Sequence, residues 1–218
     1  MGEDAMKNHT PIPSDLTFEL LITANQFRSD GEERIALSLY IEALAQLGES
    51  PELLSAIADC HFSLGIGDPD ETGENYEQAI YWMERAIALA PSISRLHSHL
   101  AQYYAVGILD YERAAEAYRA AIRLNPHDAR TLFSAASIYD VPDQVVTLEE
   151  AIQWLERAAR LEPDDPMFHA RLGEFYYKAG RFLETAHEWR RALLCPQPLD
   201  SSYVHLIKEV TGMLSSAF

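Results

Sequence analysis

The chain is poor in cysteine and in positive charge: 218 residues hold only Cys60 and Cys195, and 17 basic side chains against 34 acidic ones. Two isolated cysteines cannot build a disulfide framework, so reduced thiols in a cytoplasmic setting are expected. The formal net charge of −17 repels phosphate backbones and argues against a nucleic-acid partner. No apolar run approaches the roughly 18–20 residues of a membrane span, so none is expected. The opening residues MGEDAMKNHTPIP offer neither a basic n-region nor an apolar h-region, so no secretory signal is expected. Glycine-rich phosphate loops and serine-nucleophile elbows are missing too.

What the chain does have is 48% hydrophobic residues, enough to bury a core despite its charge. The charge is uneven. Residues 1–91 carry 17 acids and four bases (Lys7, Arg28, Arg34, Arg85), whereas residues 92–218 carry 17 acids and 13 bases. An acidic surface favours solubility and basic partners.

Internal repetition organises the rest. Five segments place a small residue, a bulky one four positions on, and an alanine three beyond. They are Ala36, Tyr40 and Ala43; Ala79, Met83 and Ala86; Ala114, Tyr118 and Ala121; Ala151, Leu155 and Ala158; and Thr185, Trp189 and Ala192. Their spacings are 43, 35, 37 and 34 residues, and Pro91, Pro126 and Pro163 close three of them. Upstream of each lies a second helical pattern: Ala24 and Phe27 before Gly31, Ala58 and His61 before Gly65, Ala101 and Tyr104 before Gly107, Ala136 and Tyr139, and Leu172, Gly173 and Tyr176 before Gly180. Small residues let antiparallel helices approach, glycine suits the turn and proline stops the second helix. Each unit is a helical hairpin with too little core to stand alone.

This pattern resembles the tetratricopeptide repeat (TPR) family. The expected organisation is an N-terminal flexible segment at 1–16, five repeats at 17–50, 51–93, 94–128, 129–165 and 166–199, and a C-terminal capping helix at 200–218. Segments such as YEQAIYWMERA also resemble the related Sel-like repeats. In the tail, Tyr203, Leu206, Ile207, Val210 and Leu214 share one helical face behind the N-cap candidates Asp200, Ser201 and Ser202. Such a helix caps the open apolar end of an array. A membrane-surface helix would need a strongly basic polar face, which Lys208 alone does not supply.

Little else carries chemistry. His97, His99 and the His187–Glu188 pair lack the His-Glu-x2-His spacing. His61, His97 and His169 occupy packing positions, where a histidine is a packed ring with a satisfied nitrogen. The insertion at 66–75 begins like a calcium loop with Asp68, Asp70, Thr72 and Gly73. Its twelfth position, where a bidentate glutamate belongs, is Ala79. A tolerated surface insertion is the expectation there; the smaller one near Val141-Pro142-Asp143 has no nameable chemistry. Tyr40, Tyr104, Tyr118, Tyr139, Tyr176 and Trp189 are expected in the core, with Trp82 and Trp154 as half-buried flanks. No metal, cofactor or catalytic group is expected.

The resemblance implies a right-handed superhelical solenoid, all-α, whose first helices line a concave groove that holds a peptide or helix of another protein. Projected onto this chain, the lining is Leu21, Asn25 and Arg28; Glu52, Ser55, Asp59 and Phe62; Arg95, Ser98, His99 and Gln102; Arg130, Phe133, Ser137 and Asp140; and Met167, Ala170, Arg171, Glu174 and Tyr177. Arg95, Arg130 and Arg171 suit bidentate bonds to carboxylates, and Phe62, Phe133, Met167 and Tyr177 suit apolar anchoring. The subtype that docks the acidic C-terminus of heat-shock chaperones matches at Asn25 alone. Its lysine place holds Leu21, its second-repeat asparagine place Ala56, and its third-repeat pair reads Ser98 and Gln102, or nearby His99.

The expected function is a non-catalytic scaffold or adaptor, with no nucleic acid and no membrane insertion. A self-assembling subunit and a chaperone-like holder of a secreted or assembling client are the alternatives. The groove is expected to be polarised, acidic in the first two repeats and arginine-lined from the third.

Overall fold

A computed structural model describes residues 14–67, 72–141, 144–199 and 201–216, and these form eleven α-helices with no strand among them. They are α1 (Ser14–Ser29), α2 (Glu33–Leu47), α3 (Pro51–Gly67), α4 (Thr72–Leu89), α5 (Ser94–Gln102), α6 (Tyr111–Leu124), α7 (Ala129–Ser137), α8 (Leu148–Leu161), α9 (Pro166–Lys178), α10 (Phe182–Leu194) and α11 (Ser201–Ser216). The fold is all-α. No helix among the described residues is long and apolar enough to cross a membrane. The expectations on residues 1–13, on Asp68, Asp70 and Asp200, and on Pro142 and Asp143 fall outside the described residues, as do the side chains of Thr72, Ser202, Leu206 and Leu214.

The chain divides into two compact units, 1–91 and 92–218. In the first, α1 packs on α2 and α3 on α4, and α2 joins the two hairpins through α3. In the second, α5 pairs with α6, α7 with α8 and α9 with α10.

The small–bulky–alanine signature forms the seam of each hairpin. Every one of its members in the five segments is 5% exposed or less. Alanine keeps the backbones close enough for the bulky residue to fill the interval. At Gly173 the approach is closest: a Cβ there would collide with the indole of Trp189, whose Nε1–H donates to the Ala170 carbonyl at 3.1 Å. Trp154 is 7% exposed, hence core rather than the expected flank, while Trp82 is half-buried as expected.

Hairpin turns differ from the simple glycine rule. Gly180 adopts a left-handed φ of 73° between α9 and α10, which suits glycine. Gly65 instead lies inside α3 against Tyr76. In the third segment Gly107 sits within a π-helical turn, Tyr103–Ile108, and the left-handed position falls on Leu109 with φ 56°. The spacing of 35 from Ala79 to Ala114 holds one residue more than the 34 of the last pair. A π-turn is how a helix absorbs one surplus residue without losing its register.

Side chains cap the starts of five helices among the described residues: Ser50, Asp110, Asp128, Thr147 and Asp165 each accept from a backbone N–H of the first turn. At the C-terminal end, Ile207 of α11 is 1% exposed and clusters with Ala170, Trp189 and Ala192, flanked by Leu199, Tyr203 and Val210. The capping helix thus covers the last hairpin.

A candidate partner-binding face

In the second unit the first helices of the hairpins form one row. Thr131 Oγ1, which gives its proton to Asp128 at 2.8 Å, accepts from the Ser98 hydroxyl at 3.0 Å, joining α7 to α5. Phe133 packs on Phe168 with ring centroids 5.3 Å apart, joining α7 to α9. Behind them, Arg119 of α6 donates two bonds of 2.8 Å to Glu150 of α8, with a third of 3.1 Å to the Val145 carbonyl. That bidentate guanidinium holds the Glu150 carboxyl below its usual range.

Along the front row the expected lining separates into three kinds. Arg95, Gln102 and Arg130 are exposed, and the guanidinium groups of Arg95 and Arg130 make no ion pair among the described residues. Both arginines sit at the second position of their helices, α5 and α7. His99 is half-buried, its ring 6.5 Å from that of Tyr103. Ser98, Phe133, Ser137 and Met167 are half-buried, and Ala170 is wholly buried in the seam of the last hairpin.

Arg171 and Glu174 belong to a closed network. Arg171 bonds Asp140 of the preceding hairpin and, at 2.5 Å, Glu174 of its own helix. Lys178 bonds Asp140 at 2.5 Å and Glu174 at 3.0 Å. Beneath the cations lie aromatic rings: the Lys178 Nζ stands 4.9 Å from the Phe175 centroid and 5.6 Å from that of Tyr139. Burial pushes the Asp140 carboxyl up, yet Lys178 and Arg171 outweigh it and hold the group below its usual range. A ligand carboxylate reaching Arg171 must therefore displace two carboxylates already there. Lys178 escaped the sequence reading, although Arg171, Glu174 and Lys178 alternate in charge at helical i, i+3 and i, i+4 spacing.

Beyond it, Tyr177 is 43% exposed, stacked on Trp189 at 6.1 Å and edge-on to Phe182 at 5.7 Å. In the first unit, Asn25 is exposed and accepts the Tyr40 hydroxyl at 2.7 Å. Asp59 is half-buried and pairs with Arg28 at 3.3 Å. Leu21 is half-buried and Glu52 exposed. Ser55 and Phe62 are buried, and the Phe62 ring packs on Tyr76 at 5.5 Å. Phe62 is thereby spent on the hairpin seam.

Elsewhere the histidines pack as expected. His169 is wholly buried with both ring nitrogens bonded, and Nδ1 of His61 lies 3.1 Å from Asn75 Oδ1. Burial beside Glu33 pushes the Cys60 thiol up to about 12, which leaves it an inert packing group. No cluster able to hold a metal occurs among the described residues.

An all-α array of alanine-seamed helical hairpins, with repeat periods near 34 residues, defines a class of helical-repeat protein. A family profile described as "Tetratricopeptide repeat" matches residues 100–141, and another described as "YpiA-like, tetratricopeptide repeats" matches residues 144–193. Tetratricopeptide-repeat profiles thus match two stretches of the second unit, residues 100–141 and 144–193. It is 35% identical over 85 residues to the "Photosystem I assembly protein Ycf3" of Synechococcus elongatus, a match covering 37% of this chain and 49% of that protein. The chain thus spans about half the length of the curated relatives it matches. MamA from Desulfovibrio magneticus RS-1 superposes with a TM-score of 0.69 at 19% identity, over 86% of this chain and 99% of that one. TTC0263, described as a thermophilic TPR protein in Thermus thermophilus, gives 0.59 at 22% identity over 88% and 97%. At those identities the likeness is one of fold.

Proposed function

We propose that this chain is a non-catalytic protein–protein interaction scaffold that holds a peptide, loop or helix of a partner against the row of first helices. The observation that carries the reading is the pair of exposed guanidinium groups, Arg95 and Arg130, on neighbouring first helices of the second unit and without ion pairs among the described residues. A rigid row presents such groups in fixed register, so only the ligand must be ordered on binding. Ligands with acidic side chains suit this stretch, and Gln102 adds an uncharged hydrogen-bonding contact. The likeness to a photosystem assembly protein supports a role in bringing proteins together.

The same reading divides the chain into five repeats at 17–50, 51–93, 94–128, 129–165 and 166–199 and a cap at 200–218, and places it in the cytoplasm. Transfer of function from fold is an analogy, so the site must carry the test. Peptides selected from a display library against the whole chain are titrated calorimetrically against wild type, Arg95→Ala and Arg130→Ala. A loss of about tenfold in each variant, with unchanged thermal midpoints, is expected for a charge-assisted contact. Selected peptides that bind both variants as tightly as wild type would refute it.

A further inference from the structure

Where the loop between α6 and α7 meets the last turns of α8, the second unit holds a cavity of about 210 Å³. Pro126, His127, Arg157, Arg160 and Leu161 line it, and no first helix contributes. Arg157 is half-buried, and its Nη2 donates to the Pro126 carbonyl at 2.8 Å, which holds the guanidinium against the loop. That acceptor is neutral, so no carboxylate among the described residues answers the charge of Arg157. Arg160 reaches Glu156 at 3.8 Å, and the same carboxylate accepts the Tyr176 hydroxyl at 2.7 Å. Glu156 therefore offsets Arg160, whose side chain is 67% exposed and keeps most of its five N–H donors open. The His127 backbone N–H donates to Asn125 Oδ1 at 3.2 Å, while its exposed ring bonds nothing among the described residues.

Charge and size narrow the ligand. Even with Arg160 balanced by Glu156, Arg157 leaves one positive charge unanswered, and no acid lines the cavity among the described residues. A cation is excluded on that ground. An inorganic anion would leave Pro126 and Leu161, the latter 37% exposed, facing water. A cavity of roughly 150 Å³ accepts a benzene ring, so this one admits a ring together with a carboxylate, and it is too small for a drug-sized molecule. A guanidinium group matches a carboxylate in its plane and an aromatic ring on its face. We infer that this cavity binds a small aromatic monocarboxylate. The carboxylate meets Arg157 and Arg160, the His127 ring adds a hydrogen bond, and the aromatic ring packs on Pro126 and Leu161. Nothing in this assignment depends on the proposed partner-binding face.

The test titrates 3-phenylpropionate, 3-phenylpropanamide and inorganic phosphate into the isotopically labelled full chain, followed by NMR. The carboxylate is expected to saturate below about 10 mM and to shift the His127 ring and Leu161 methyl resonances. The amide keeps the ring without the charge, and phosphate keeps a charge without the ring. Each is expected to bind about tenfold more weakly, the first for want of a charge-assisted contact and the second for want of apolar burial. Arg157→Gln should cost 3-phenylpropionate a similar factor and leave the amide unchanged. Because Arg157 also ties α8 to the loop, exposed Arg160→Gln provides the second variant, with a loss of about threefold since Glu156 already offsets that charge. Absence of saturation, equal affinity for all three probes, or undiminished carboxylate binding by either folded variant would overturn the assignment. Shifts confined to Arg95 and Arg130 would overturn it as well, by moving the carboxylate to the row of first helices.

Discussion

The imidazole of His169 on α9 lies 2.7 Å, through Nδ1, from the carboxylate of Glu188 on α10, while its Nε2 lies 3.0 Å from the Pro163 carbonyl. Each ring nitrogen thus has an oxygen partner. His169 is 0% exposed and Glu188 8%, so the pair is effectively dry. Removing His169 leaves Glu188 Oε2 dry and unpaired, since His187 bonds only Oε1. His169→Leu is expected to cost about 3 kcal/mol, read as a lower urea midpoint at unchanged m-value.

Glu188 also gives the last hairpin an acid-sensitive element. Burial pushes its carboxyl up, but bonds from His169 and His187 prevail and hold it below the usual range. A depressed carboxylate contributes stability that is complete above its unfolded value of about 4.3 and is lost as pH falls through the lower folded value. The stability advantage of wild type over Glu188→Gln should therefore shrink between about pH 5 and pH 3. Equilibrium unfolding of both proteins across that range measures it, and a constant difference would contradict the assignment.

Two glycine substitutions should act in opposite directions. At Gly173 a Cβ would meet the Trp189 ring, which is held by its bond to Ala170 and cannot swing clear. Gly173→Ala is expected to destabilise by about 2 kcal/mol through overpacking. At Gly212 of α11 nothing lies within 4 Å of an added Cβ. There Gly212→Ala should gain about 0.5–1 kcal/mol from helix propensity alone. Thermal unfolding of the two variants side by side isolates the contact from the propensity.

The seam was readable because its constraint is local and repeated: Ala114, Tyr118 and Ala121 recur in kind at Ala151, Leu155 and Ala158, and helical spacing puts each trio on one face. His169 was readable as a packed ring for the same reason. Its partner Glu188 was not, because nothing in a sequence says which acid on a neighbouring helix comes within 2.7 Å. The binding face suffered most. Projection placed Arg171, Arg130 and Arg95 in one class, yet Asp140, 31 residues before Arg171, occupies the first and leaves the others exposed. Likewise the surplus residue before Ala114 was countable, but its form as a π-turn depends on how Tyr103 and Tyr104 keep their buried positions.

That π-turn ends on Leu109, whose φ of 56° is costly for a residue with a Cβ. The side chain is 60% exposed, so little packing repays the strain. Leu109→Gly should therefore stabilise the protein by about 1 kcal/mol, despite the greater unfolded-state entropy of glycine. A raised thermal midpoint with unaltered helix content is the expected result; a lower midpoint would mean that Leu109 makes apolar contacts worth more than the strain.

Asp140 sets how the proposed partner-binding face presents its charge. In the native network two acids balance two bases, so Arg171 and Lys178 add nothing net to the guanidinium groups of Arg95 and Arg130. Asp140→Ala removes one of the two acids that both cations share and leaves Glu174 facing two positive charges. The stability cost should be modest, about 1 kcal/mol, because the carboxylate is one-third exposed and the cations keep their aromatic floor. Binding should move the other way: an acidic peptide selected on the wild-type chain meets one added net positive charge and should bind several-fold more tightly, with a steeper dependence on salt. Asp140→Asn keeps the shape without the charge and should reproduce the gain. Unchanged affinity and salt dependence in both variants would place the acidic ligand elsewhere than beside the α7–α9 junction.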